Sequence, residues 1–340
     1  MFYHPSRILF LIILLSGSLI SISSSSWFGA WLGLELNLLT FIPLMINKSP
    51  YSSEAALKYF LTQAMASIFL FFMATLYSLL ISMFLFLPSA FVEMKILFST
   101  ALLIKMGAAP FHFWFPGVAE GLTWPLCFIL MTWQKLAPVA LISYTFSSLI
   151  FAFLVIISCS LVGGLGGLNQ TSLRKIMAYS SINHIGWILA GLLVSNFLWI
   201  SYYIFYVLLS LPIIMNFYYL QLNYFPQLFS LKDSNNFNFI FMFSNFLSLG
   251  GLPPFLGFLP KWAVIQALAM NNFMGLAFIM VSLTLIVLFF YSRIFFTSAL
   301  LTQSNLSWFP CHLYWTPLNW WLSMLSIFGL PFLSVFYFLT

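Results

Sequence analysis

The chain has 340 residues, 63% of them hydrophobic and 5% charged, with a formal net charge of +6. A soluble domain carries about 25% charged residues, so 11 Lys and Arg with 5 Asp and Glu cannot cover a water-facing surface of this length. The 42 Phe and 12 Trp likewise exclude a disordered or fibrous chain. The bilayer is the solvent, and at about 20 residues per span there is room for roughly a dozen helices.

Residues 1–26 mimic a secretory signal: Arg7, an apolar run over 8–22, then serines. Another apolar stretch follows from Trp27, with no soluble domain behind it, so the segment reads as the first span. Apolar runs and their polar or Pro/Gly punctuation then predict an all-α, polytopic transmembrane bundle of about eleven spans. They lie at 8–26, 27–46, 56–85, 93–120, 123–143, 146–168, 172–194, 196–222, 237–270, 273–296 and 320–339. This count puts Arg7, Lys48, Lys58, Arg174, Lys175, Lys232 and Arg293 on one side and Lys95 alone on the other. The positive-inside rule then turns the N-terminus toward the cytoplasm or its organellar equivalent.

Spans 93–120 and 237–270 exceed the bilayer and carry Gly and Pro in mid-run. Shifted by 144 positions, Gly107 meets Gly251, Pro110 meets Pro254, Phe111 meets Phe255 and Pro116 meets Pro260. Interrupted spans at matching places mark an internal repeat with its site near the breaks. The shift crosses five helices, so the two units are expected to be inverted. The division is 1–143 for spans 1–5, 144–296 for spans 6–10, and 297–340 for a loop and the last span.

Few ionisable groups lie inside spans: Glu35, Lys105, Lys135, His184, His112 and Lys261. A charge at the bilayer centre costs several kcal/mol at least, so it persists when it is paired, solvated or used. Snorkelling toward the headgroups is a bland alternative that suits Lys261 better than Lys105 or Lys135. Pro110 frees the carbonyl of Met106 beside Lys105, Pro138 that of Gln134 beside Lys135, and Pro253 and Pro254 precede Lys261. Broken backbone at this depth survives only against water or protein. A buried lysine tuned by a carboxylate can release and regain a proton, and Glu35 is the acid available in a span interior. Which lysine it tunes stays open. His112 follows the first break, and His184 closes Ser180-Ser-Ile-Asn-His184. Each reads as a packing residue or as a proton carrier.

Gly163-Gly-Leu-Gly-Gly167 lies in an apolar span without a strand before it, so it reads as close helix packing, as do Gly29 and Gly33. Cys127, Cys159 and Cys311 lie far apart, which signals neither a disulfide framework nor a metal or iron–sulfur site. Asn47, Asn169 and Asn305 begin glycosylation-type triplets, the first two on the positive side. No nucleic-acid stripe appears.

Leu103-Ile-Lys-Met-Gly-Ala-Ala-Pro-Phe-His-Phe-Trp-Phe-Pro116, Ser180-Ser-Ile-Asn-His-Ile-Gly-Trp187 and Leu249-Gly-Gly-Leu-Pro-Pro-Phe-Leu-Gly-Phe-Leu-Pro-Lys261 carry a family resemblance across essentially the whole chain. It resembles the subunit 2 family of NADH dehydrogenase, antiporter-like subunits of respiratory complex I. That family carries a glutamate in an early span, a lysine before the first break, one in the next span and one at the second break. Glu35, Lys105, Lys135 and Lys261 match these in turn. The chain is about three spans shorter at the N-terminus than the bacterial form, as in animal mitochondria.

The resemblance implies a proton-translocating core subunit of the inner mitochondrial membrane, N-terminus to the matrix and C-terminus to the intermembrane space. Its partners would be other membrane-arm subunits and the lipid bilayer, cardiolipin included. It implies no redox centre or metal in this chain; NADH, FMN, iron–sulfur clusters and ubiquinone belong to partner subunits. Gly107, Pro110, Pro253 and Pro254 would be its helix breaks. A stand-alone cation/proton antiporter and an inert membrane-arm scaffold are the competing readings.

Overall fold

The computed structural model describes residues 5–47, 49–82, 88–228, 244–300 and 320–329. Among them there is no strand; the chain satisfies its backbone within hydrocarbon through helices. The helices are α1 (Pro5–Ser23), α2 (Trp27–Met45), α3 (Pro50–Ser82), α4 (Pro88–Met106), α5 (Trp114–Gly121), α6 (Trp124–Met131) and α7 (Trp133–Thr145). They continue with α8 (Leu149–Leu168), α9 (Leu173–Val194), α10 (Asn196–Tyr219), α11 (244–250), α12 (Phe258–Met270), α13 (Met274–Leu300) and α14 (Trp320–Gly329).

Eight stretches are long and apolar enough to cross a membrane, α6 and α7 counting together. The interrupted pairs α4–α5 and α11–α12 come in addition. Span three starts at Pro50, earlier than the expected 56, because proline suits a first helical turn. The run 123–143 is two helices meeting at Thr132, where φ is −109° and ψ −80°. Of the spans at 237–270 and 320–339, residues 237–243 and 330–339 lie outside the described residues, as do Lys48, Lys232, Asn305 and Cys311.

The chain forms two compact units, Met1–Val155 and Ile156–Thr340, dividing within α8. In the first, α1 packs closely on α2. A Cβ on Gly33 would lie 2.6 Å from the Ser21 nitrogen and 2.7 Å from the Gly17 carbonyl. In the second, a Cβ on Gly163 would lie 2.6 Å from the Asn183 nitrogen, so the glycine-rich run does serve close helix packing. Gly29 does not: it sits at the start of α2, where its N–H donates to the Ser26 hydroxyl at 3.2 Å.

The two breaks have the same anatomy. Helix α4 ends at 106 and α5 starts at 114; α11 ends at 250 and α12 starts at 258. The N–H of Gly107 bonds Ile104 O, Ala108 N–H bonds Leu103 O, and Phe115 N–H bonds His112 O. Gly251 N–H bonds Ser248 O, Leu252 N–H bonds Leu247 O, and Leu259 N–H bonds Leu256 O. Every one of these positions is displaced by 144. Helix α14 packs on the second break: Ser326 O accepts from Leu256 N–H at 3.2 Å, and the Ser326 hydroxyl donates to Asn245 Oδ1.

Candidate functional site

In the first unit, α2 carries Glu35, half-buried, and Asn37, buried. Lys105 occupies the last turn of α4, just before the chain reverses at Gly107 with φ +69°, and is 6% exposed. The Glu35 carboxylate interacts electrostatically with Lys105 and with Tyr59 of α3. Glu35 Oε2 is buried without a hydrogen bond to the protein. A buried carboxylate oxygen without a protein partner and a buried ammonium offset each other's desolvation.

Lys135 lies in the first turn of α7, is 2% exposed, and places its Nζ 4.6 Å from the centroid of Phe115. A desolvated cation over an aromatic face is held by the ring quadrupole. Phe115 opens α5 and packs where a Cβ on Gly107 would fall, 3.0 Å from its own Cβ. One ring thus joins Lys135 to the first break.

Four uncharged side chains that sequence reasoning missed knit these helices. Gln134 Nε2 donates to Asn37 Oδ1 at 2.9 Å, and the Tyr59 hydroxyl donates to Gln134 Oε1 at 3.4 Å. One turn along α3, Gln63 Nε2 donates to the Lys105 carbonyl at 3.2 Å. Polar side chains buried in hydrocarbon are costly enough to be a signal in themselves. His112 is set apart on the break loop, half-buried, its Nδ1 3.2 Å from the Pro110 carbonyl and its ring against exposed Phe113.

In the second unit Gly251, with φ +81°, reverses the chain after α11, and Pro253 and Pro254 are exposed. Lys261 turns inward from α12. Its Nζ donates to the Gly250 carbonyl at 2.5 Å and lies 5.9 Å from the centroid of Trp187. It is 6% exposed, so snorkelling, the bland alternative, is not what it does. The carbonyl released at the break holds the ammonium instead. On α9, Ser180, Asn183, His184 and Trp187 follow i, i+3, i+4, i+7 spacing and are all buried. His184 Nδ1 meets the Tyr202 hydroxyl at 2.9 Å, and its ring packs 5.0 Å from Tyr206. Among the described residues no group of three or more His, Cys, Asp or Glu could hold a metal.

Buried lysines at broken helices, one in the field of a carboxylate, define a polytopic membrane protein of the class whose intramembrane charges mark ion or proton pathways. Residues 24–288 match the family described as NADH:quinone oxidoreductase/Mrp antiporter, TM. The NADH-ubiquinone oxidoreductase chain 2 of Anopheles gambiae is 52% identical over 305 residues, 89% of each chain. That of Aedes aegypti is 48% identical over 337 residues, 98% of each. The chain therefore belongs to the NADH:quinone oxidoreductase/Mrp antiporter transmembrane family, together with the NADH-ubiquinone oxidoreductase chain 2 proteins. The fold is similar to a chain in the structure of respiratory complex I from Thermus thermophilus with bound aureothin. The TM-score is 0.82 at 22% identity, covering 96% of this chain and 78% of that one.

Proposed function

We propose that the chain is a membrane-arm subunit of proton-pumping NADH:ubiquinone oxidoreductase and conducts protons through Glu35, Lys105, Lys135, His184 and Lys261, with His112 at the loop side of the first break. The relatives' names support the assembly. The observation that carries the conduction is the seating of Glu35 and Lys105: a buried ammonium at an open helix end, in the field of a carboxylate with an unpaired oxygen. Electron transfer and its cofactors belong to other subunits, and this chain moves charge only as protons.

Residues 1–143 and 144–296 act as two repeats of one design, a reading supported by the matching hydrogen bonds of their breaks. The chain lies in the inner mitochondrial membrane with its N-terminus in the matrix, among other membrane-arm subunits and lipids, cardiolipin included. The Arg174 guanidinium donates to Asn223 Oδ1, and Arg293 donates to Leu168 O and stacks on Phe225. This clustering of cations at one end of the second unit supports that orientation. The test is proton release per electron pair in coupled membrane vesicles carrying Lys105→Met. A lost or lowered ratio in an assembled complex is expected, and an unchanged ratio rejects the relay.

A further inference from the structure

We propose that Tyr59 and Gln63, one turn apart on α3, are positioning residues that hold the two lysine-bearing helices of the first unit in register with the Glu35 helix. The proposal rests on the relay reading above. Tyr59 and Gln63 are 3% and 4% exposed and stand four residues apart, so they share a helix face. Gln63 grips the carbonyl of Lys105 itself, the last turn of a helix whose continuation is lost at Gly107. Tyr59 grips Gln134, the neighbour of Lys135, and Gln134 in turn grips Asn37, two residues from Glu35. The hydroxyl of Tyr59 also lies in the field of Glu35.

The amides of Asn37, Gln63 and Gln134 do not carry protons onward, so the network acts as a splint. Its effect is on distance. A Coulomb interaction in a poorly screened interior changes steeply with separation. Letting α4 move relative to α2 therefore changes how strongly Glu35 opposes Lys105. The titratable groups concerned are Glu35 from α2, Tyr59 from α3, Lys105 from α4 and Lys135 from α7. A general packing role would only reduce the amount of active complex; a positioning role changes the pH at which the relay works.

The experiment compares Tyr59→Phe, Gln63→Leu and the outward-facing control Leu61→Met in the assembled complex. Proton release and NADH oxidation are followed across pH in coupled vesicles, with Lys105→Met alongside. Tyr59→Phe removes one oxygen and keeps the ring, so folding is preserved; assembly is checked on native gels. The expected result is proton release slowed about fivefold, the factor one ordinary hydrogen bond is worth. The limb of the pH profile should also move by about half a unit or more, while the control matches the parent. A rate equal to that of the control, or one scaled down equally at every pH, overturns the positioning role. Normal pumping by Lys105→Met would instead remove the relay beneath it, and the positioning role with it.

Discussion

Gly107 and Gly251 hold the same left-handed backbone, φ +69° and +81°, at positions 144 residues apart. An L side chain rarely adopts this conformation, so glycine lets each helix stop and the chain turn. What the two glycines face differs. A Cβ on Gly107 would press on Phe115, the ring beneath Lys135, at 3.0 Å; one on Gly251 would press on Lys261 Cδ at 2.8 Å and Nζ at 3.1 Å. One break geometry thus serves two different lysines.

Gly107→Ala and Gly251→Ala should each destabilise their unit by about 1–2 kcal/mol from backbone strain alone. Gly251→Ala should in addition displace Lys261 from the Gly250 carbonyl and slow proton transfer more. Thermal stability of the assembled complex and vesicle acidification separate the two effects. A Gly251→Ala complex of parental stability would show that the positive φ is not required.

Pro110 and Pro254 lie in the non-helical loops of the breaks, so Pro110→Ala and Pro254→Ala return a backbone donor and free φ there without restoring a helix. Both prolines are exposed in the chain, so packing does not oppose the change. Each variant should assemble yet release protons more slowly, because the loop that leads away from the open helix end loses its fixed φ. Full coupling in both would deny the breaks a role in conduction, and an effect at one alone would count against equal roles for the repeats.

The breaks and the buried charges were legible in the sequence because both are local signals: Gly and Pro in an apolar run, Lys or Glu in a span interior. The splint was not. Gln134 bonds residues 97 and 75 positions away, and no periodicity announces such pairs. The bend at Thr132 carries no proline at the joint and so left no punctuation. The inward turn of Lys261 was not legible, because a lysine near a span end suits snorkelling as well. Its direction is set by the Gly250 carbonyl, which becomes available only once the chain turns at Gly251.

Tyr202→Phe removes the hydroxyl that meets His184 Nδ1 and leaves the ring between Trp187 and His184 in place. The loss should weaken the unit by about 1 kcal/mol and slow proton release without lowering assembly. Proton release equal to the parent at matched NADH oxidation would leave the Tyr202–His184 contact a packing feature.

Glu35→Gln keeps the volume and removes the charge opposite Lys105 and Tyr59. Turnover should fall and the pH–rate profile should move, since the partner that tunes the ammonium is gone. A profile superimposable on the parent's would make Glu35 a structural residue.

The most direct measurement is the number of protons released per electron pair by the assembled Lys105→Met complex in coupled vesicles. Methionine keeps the length of the side chain and removes the ammonium that faces Glu35 at the open end of α4. General acid–base groups are worth about a hundredfold or more in rate, so quinone-linked NADH oxidation should fall sharply and the proton ratio should drop with it. An assembled complex that oxidises NADH and releases protons at the parental ratio would contradict the account.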